Sequence, residues 1–233
     1  MLSLAINFEL VSRIFWQQVF HASILEKHAA LEALHMQALE QEKLRADAAI
    51  STGSISLSSA WALFCAANTI KPTNTIEVGT YIGRSTLAMA LAMGRNGIDD
   101  ATIYTCDYSN SIDITSTGGV TIEQFKQIGS EQMFSTLISR KVRADLVFLD
   151  GRLTDRDTEY LPLLSKPETV YLLDDFEGIE KGVCNALKMA PALSRSHLLI
   201  YPPDTELLTR YNLPGRCTIG GWIPASSVTL SRQ

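Results

Sequence analysis

The chain has 233 residues, of which 46 % are hydrophobic and 19 % charged, and a formal net charge of −5 at pH 7. That length and apolar content suffice for one large α/β domain with an appended helical segment, and they exclude wholesale disorder. The acidic balance disfavours nucleic acid as a partner, because binding a phosphate backbone needs a concentrated basic surface. No run of about 18 apolar residues occurs, so no membrane span is expected. The apolar start, Met1 to Leu25, is broken by Glu9, Arg13 and the pair Gln17-Gln18, and it lacks the basic n-region of a signal peptide. Cys65, Cys106, Cys184 and Cys217 form no C-x-x-C pair, and each lies in an apolar stretch. They read as buried free thiols in a reducing, cytoplasmic compartment.

In chain order, Phe8 to Ala49 contains no Gly or Pro and is rich in Ala, Leu, Glu and Gln, the composition of one or two long helices. His21, His28 and His35 recur every seven residues, but seven residues of helix rise about 10.5 Å, too far for neighbours to share one ion. Solvated or partner-facing histidines are expected instead. Leu10, Ile14, Leu25, Leu31, Leu34 and Leu44 need a cover, either a second copy of the chain or the following domain. Residues 1–50 therefore form a helical extension, for homo-oligomerisation or for closing a site, ahead of a main domain at 51–233. Ser51-Thr52-Gly53-Ser54 breaks the pattern as a polar loop, and Ser58 to Ile70 reads as an apolar helix ended by Lys71-Pro72-Thr73-Asn74.

From there strands and helices alternate. Strands are predicted at Thr75–Val78, Ala101–Cys106, Val120–Phe125, Leu146–Leu149, Thr169–Leu173, His197–Tyr201 and Thr218–Pro224. Helices are predicted at Ser85–Met93, Ser130–Ser139, Thr158–Leu164 and Gly182–Met189. The alternation implies a Rossmann-like α/β fold, a seven-stranded, mainly parallel sheet with helices on both faces. The last strand is expected to run antiparallel, since a turn around Leu213-Pro214-Gly215 precedes it rather than a helix.

The sharpest signal is Thr75-Ile-Glu-Val-Gly-Thr-Tyr-Ile-Gly-Arg-Ser-Thr-Leu-Ala. A strand runs into Glu77-x-Gly79-x-x-x-Gly83-x-Ser85 and opens a helix. Gly79 lets the chain turn tightly, Gly83 allows a close approach of backbone and ligand, and free N–H groups at the helix entrance suit a polar or anionic partner. Glu77 is placed to accept from a cationic amine through a water. A second strand, Ile103 to Asp107, ends in an acid roughly 20 residues beyond the loop, where nucleotide folds bind ribose hydroxyls. Tyr108 follows it.

A further group of acids falls at later strand ends. Asp150 closes the fourth strand, and Asp174 and Asp175 close the fifth. Adjacent strands lie about 4.8 Å apart, so these carboxylates converge at the carboxyl edge of the sheet and raise one another's pKa. A hard divalent cation such as Mg²⁺ would relieve that repulsion. Alternatively, Asp150 caps a loop while Asp174 or Asp175 pairs with Arg152 or Lys181, or the acids serve in metal-free proton transfer.

The pattern E-x-G-x-x-x-G-x-S resembles motif I of the class I S-adenosylmethionine (SAM)-dependent methyltransferases, especially their small-molecule O-methyltransferase branches. Dinucleotide dehydrogenases favour G-x-G-x-x-G, and Tyr81 takes the place of that central glycine. The resemblance runs from about Ser51 to Tyr201, through Gly129-Ser130-Glu131 and Asp145-Leu-Val-Phe-Leu-Asp150-Gly151. It implies SAM held by Glu77, Gly79, Thr80, Tyr81, Gly83, Ser85, Asp107, Tyr108 and Asp150, with Ser130 and Glu131 beside the adenine. In catechol-type enzymes the metal ligands are an Asp after strand four and an Asp-Asn pair after strand five. Asp150, Asp174 and Asp175 match these, with Asp in place of Asn at the third. Leu153 stands where those enzymes carry a catalytic Lys and related bacterial groups a His.

The resemblance implies methyl transfer to a small-molecule acceptor, most simply a hydroxyl oxygen, with Asp150, Asp175 and Lys181 as candidate catalytic groups and a divalent metal assisting. A non-catalytic SAM-fold interaction subunit and a nucleotide-dependent oxidoreductase are the alternatives. Acceptor selectivity is expected in the N-terminal helices and in the segments Ser51–Ser54, Ser109–Gly119 and Asp204–Gly215.

Overall fold

The computed structural model describes residues 7–45, 53–98, 100–108, 112–213 and 215–227. The N-terminal helices are α1 (Phe8–Ala22), capped by the Asn7 side chain accepting from the Leu10 N–H, and α2 (Lys27–Leu44). A short 3₁₀ turn, Ile24–Glu26, separates them. Their buried residues fall at helical spacing: Phe15, Trp16, Val19 and Phe20 on α1, and Ala30, Leu34, Ala38 and Gln41 on α2. These faces pack against α3 (Leu57–Ile70), α4 (Arg84–Arg95) and the sheet of the same chain; of the residues expected to need a cover, Leu34 is buried there, whereas Leu10 and Leu25 stay exposed. Trp16 Nε1 donates to the Tyr201 carbonyl at 2.8 Å, and the Tyr201 N–H donates to Ser12 Oγ at 2.7 Å. His21, His28 and His35 are exposed, and none joins a candidate metal cluster among the described residues. No helix among the described residues is long and apolar enough to cross a membrane.

The seven strands are β1 (Asn74–Val78), β2 (Thr102–Asp107), β3 (Thr121–Lys126), β4 (Ala144–Leu149), β5 (Ser165–Leu173), β6 (His197–Ile200) and β7 (Gly220–Pro224), in the order β3-β2-β1-β4-β5-β7-β6. The first five are parallel, and β7 runs antiparallel to both β5 and β6, the direction expected for it, although the connection before it is not the simple turn on which that expectation rested. The remaining helices are α5 (Ser130–Ser139), α6 (Asp155–Leu164), α7 (Lys181–Leu193) and α8 (Thr205–Arg210). One apolar cluster packs α1 to α4 and α8 on one face of the sheet; the other joins α5, α6 and α7 to the opposite face. Central strands buried on both sides read as unbroken apolar runs, as in Leu146–Leu149 and Val170–Leu173.

Four expectations need correction. The β6–β7 connection contains a helix, α8, because Asp204 caps it by accepting from the Leu207 N–H, and Leu207 and Leu208 bury against the core. Helix α6 begins earlier than Thr158, since Thr154 and Asp157 form a reciprocal capping box. Strand β5 begins at Ser165 rather than Thr169, while β7 begins at Gly220 rather than Thr218. Of the loops expected to set selectivity, residues 51, 52, 109–111 and 214 lie outside the described residues.

Two stability effects follow. Trp16→Ala should destabilise the chain by about 3–5 kcal/mol, read from urea unfolding, because it empties a fully buried aromatic site and orphans the Tyr201 carbonyl. His197 is buried, with Nε2 on the Thr169 carbonyl at 3.0 Å, and burial holds its pKa below the ordinary value. The folded state thus binds this proton less readily than the unfolded chain. Stability should be unaffected by His197 above its ordinary pKa of about 6.5 and should fall as pH drops below it. Unfolding at pH 7.5 and pH 5.5, with His197→Gln as control, reads the slope; an identical slope in the variant would acquit His197.

Candidate active site

Glu77, near the end of β1, is fully buried. Its Oε1 accepts from Ser85 Oγ at 2.6 Å, and its Oε2 accepts from Thr86 Oγ1 at 2.5 Å and Thr105 Oγ1 at 2.6 Å. Burial raises its pKa, and the three hydroxyl donors oppose that rise. Glu77 and Ser85 therefore support the glycine loop from beneath. Three of the roughly four acceptor sites of the carboxylate are thereby taken by hydroxyls of the core.

Above them the loop makes a left-handed turn. Gly79 has φ 105°, and a Cβ there would lie 3.2 Å from the backbone carbon of Asp150. Its N–H and that of Thr80 both donate to the Cys106 carbonyl, so the loop continues the β1–β2 ladder. Tyr81 is also left-handed, φ 44°, and its N–H donates to Asp107 Oδ2 at 2.8 Å. Gly83, φ 80°, begins α4, and the close neighbour its missing Cβ permits is Ile114: a Cβ would come 2.6 Å from Ile114 Cδ1. Ile114 thus accounts for the missing side chain at Gly83.

A cleft of about 200 Å³ opens at the carboxyl edge between these strands, lined by Gly79, Asp107, Tyr108, Gly129, Ser130 and Asp150 among others. It lies where chain order reverses, β1 running on to β2 and β3 on one side and β4 and β5 on the other, the ligand position of open α/β sheets. Tyr108 is 76 % exposed, and its hydroxyl rests so close to Gly129 that a Cβ there would overlap it. Ser130 donates its hydroxyl to the buried Asp157 at 2.8 Å, and Glu131 accepts from Thr154 Oγ1 at 2.7 Å. Of the residues expected around SAM, the cleft gathers Gly79, Asp107, Tyr108, Ser130 and Asp150; Glu77, Gly83 and Ser85 shape the loop instead.

The acids gather as the strand ends implied. The Asp150 N–H donates to the Val78 carbonyl and the Asp174 N–H to the Leu149 carbonyl, stepping the ladder across the edge. One carboxylate oxygen each from Asp150, Asp174 and Asp175 lies within 4.8 Å of the others. Asp174 Oδ1 accepts from Thr218 Oγ1 at 2.6 Å. Lys181 Nζ sits 2.5 Å from Asp150 Oδ1 and 3.1 Å from Asp175 Oδ2. Gly182 makes this possible: a Cβ there would lie 2.2 Å from the Asp174 carbonyl oxygen, so only glycine lets the start of α7 rest on that bend. Burial, then the Asp174 charge, pushes Asp150 up to about 7 despite Lys181. Burial also raises Asp174, Thr218 opposing it. For Lys181, burial is the largest influence and acts downward, but the charges and hydrogen bonds of Asp150 and Asp175 together outweigh it, leaving the ammonium above its ordinary range.

Two solved structures share this architecture. An O-methyltransferase from Bacillus cereus in complex with SAH superposes with a TM-score of 0.60 at 16 % identity, over 93 % of this chain and 98 % of that one. The O-methyltransferase TomG from Streptomyces achromogenes, involved in tomaymycin synthesis and in complex with SAM, gives 0.52 at 16 % identity, over 84 % and 89 %. The fold is that of the class I O-methyltransferases. No protein-family model and no curated protein matches the sequence. Within this O-methyltransferase fold, Thr105, Thr86, Asp157 and Thr218 are the residues that sequence reading missed. The T-x-x-D pattern at Thr154 signalled Asp157; Thr105 needed the β1–β2 register, which pairs it with Glu77.

Glu77→Leu should leave three buried hydroxyls without their acceptor and lower unfolding stability by about 1–3 kcal/mol or more. Glu77→Gln should lose less, since an amide oxygen still accepts. Equal unfolding midpoints for wild type and Glu77→Leu would remove the carboxylate from the loop's support.

Proposed function

We propose that the chain is a SAM-dependent methyltransferase acting on a hydroxyl of a small-molecule acceptor. The observation that carries this reading is one cleft edge joining the Gly79–Asp107 turn to the Asp150–Lys181 pair. Bound SAM supplies the methyl group on a sulfonium, which leaves as the neutral thioether when the acceptor oxygen bonds the methyl carbon. The residues present fit that cofactor: the loop's left-handed Gly79 gives the backbone a close approach, and Asp107 lines the cleft with a carboxylate for ribose hydroxyls. Ser130 and Tyr108 border the far end, where the adenine is expected. Holding acceptor and cofactor in line provides most of the rate gain.

Asp150 takes the acceptor's proton in this reading, because its pKa near 7 suits a general base at neutral pH. Lys181 keeps its proton and offers N–H bonds to the oxygen that loses one. The divalent ion expected at Asp150, Asp174 and Asp175 does not fit the donor set as it stands: Lys181 engages two of the acids and the Thr218 hydroxyl the third. No step is therefore drawn through a metal. The oxidoreductase alternative loses ground at Tyr81, whose side chain occupies the position that the dinucleotide loop keeps as glycine.

Asp107→Ala should weaken SAM binding by about 1–3 kcal/mol, roughly 5- to 150-fold in Kd, through unpaired ribose hydroxyls and a loosened Tyr81 N–H. Calorimetry with purified wild type and variant measures it, alongside a melting curve to confirm folding. Absence of SAM binding to the wild type would overturn the proposal, and equal affinities would remove Asp107 from it.

A further inference from the structure

The position where catechol-type enzymes carry a lysine is closed here. Leu153 is buried in the core, and its N–H donates to Asn185 Oδ1 at 3.0 Å. An ammonium nevertheless reaches the same edge from a different element, the first residue of α7. Lys181 Nζ stands 2.5 Å and 3.1 Å from oxygens of Asp150 and Asp175, the two acids that flank the cluster. Mg²⁺ holds its oxygens at about 2.0–2.1 Å, so an ion bridging these acids would have to take the ground the ammonium holds. The position of Lys181 is built into the backbone: Asp175 bends through φ 50°, and Gly182 lies against the Asp174 carbonyl at a distance no Cβ would allow. The third acid is also provided for, by the Thr218 hydroxyl delivered from the segment leading into β7.

We infer that Lys181 is the resident cation of the Asp150–Asp174–Asp175 cluster, standing in the place of a divalent metal, so that methyl transfer in this chain proceeds without one. The first half of this inference is independent of the proposed activity; the second half rests on it. A lysine on α7 thus does two jobs that the catechol-type pattern divides between an ion and a residue after β4. It offsets part of the charge of the strand-end acids, through Asp150 and Asp175, and it presents N–H donors to the acceptor oxygen.

The test is a Mn²⁺ titration of the full chain, read by electron paramagnetic resonance, on wild type, Lys181→Arg, Lys181→Met and the double variant Lys181→Met/Asp174→Ala. Wild type and Lys181→Arg should bind Mn²⁺ weakly. Lys181→Met should bind it more than about tenfold tighter, because a unit positive charge about 4 Å from the ion has been removed. The double variant should lose that gain. Should Lys181→Met fail to fold by circular dichroism, Lys181→Gln serves with the same expectation. Wild-type binding as tight as that of the neutral variants would overturn the inference, as would loss of wild-type methyl transfer in excess EDTA. SAM calorimetry on the same wild-type sample separates the two readings. Failure to bind SAM overturns the proposed activity, whereas the Mn²⁺ series alone decides whether Lys181 holds the metal's place.

Discussion

A carboxylate sealed from water organises this molecule's working edge. Glu77 lies at the centre of the sheet, and an unpaired charge there would be very costly. Three hydroxyls offset the cost, one from β2 and two from the first turn of α4. Those contacts bind three separate elements to one point. The loop between β1 and α4 then has little choice of path: it must rise over Glu77, turn left-handed at Gly79 beside the Asp150 backbone, and meet Asp107 through the Tyr81 N–H. The cleft is the space left on the other side of that turn.

The same ladder that carries the loop carries the acids. Donation from Gly79 to Cys106, from Asp150 to Val78 and from Asp174 to Leu149 extends the parallel register one residue past each strand. Side chains at those positions therefore emerge at one height along the edge. The convergence of Asp150 with Asp174 follows from strand spacing alone, and only Lys181 requires anything more local.

That difference explains what could be read from the chain in advance. Glycines, a strand-end acid some distance on, and acids at the ends of apolar runs are patterns along the sequence, so the loop, Asp107 and the Asp150–Asp175 cluster were legible before any coordinates. The helical composition of α1 and α2 was equally plain, but of the six apolar residues singled out there only Leu34 is buried, while Leu10 and Leu25 are exposed. Contacts made across space were not legible. Thr105 meets Glu77 only through the β1–β2 register, and Ser130 turns its hydroxyl to Asp157 only because α5 and α6 pack together. Gly83 looked like a ligand approach because a missing side chain is visible in sequence, whereas the Ile114 that fills the space is not. Helix α8 is short enough for its Asp204 cap to be taken as an ordinary turn residue.

The division of labour between Asp150 and Lys181 follows from how the two answer the same burial. Low dielectric disfavours charge on either group, so each would become neutral if it were alone. Their pairing breaks that symmetry unevenly. Asp150 also faces Asp174 and Asp175, whose charges oppose its own, and it stays pushed up to about 7 in spite of the ammonium. Lys181 faces acids only, and their combined field lifts it above its ordinary range. At neutral pH the ammonium is thus the fixed member of the pair and the carboxyl the one that exchanges a proton with little cost in either direction. In the proposed reaction that carboxyl takes the acceptor's proton while the ammonium beside it holds the oxygen in place.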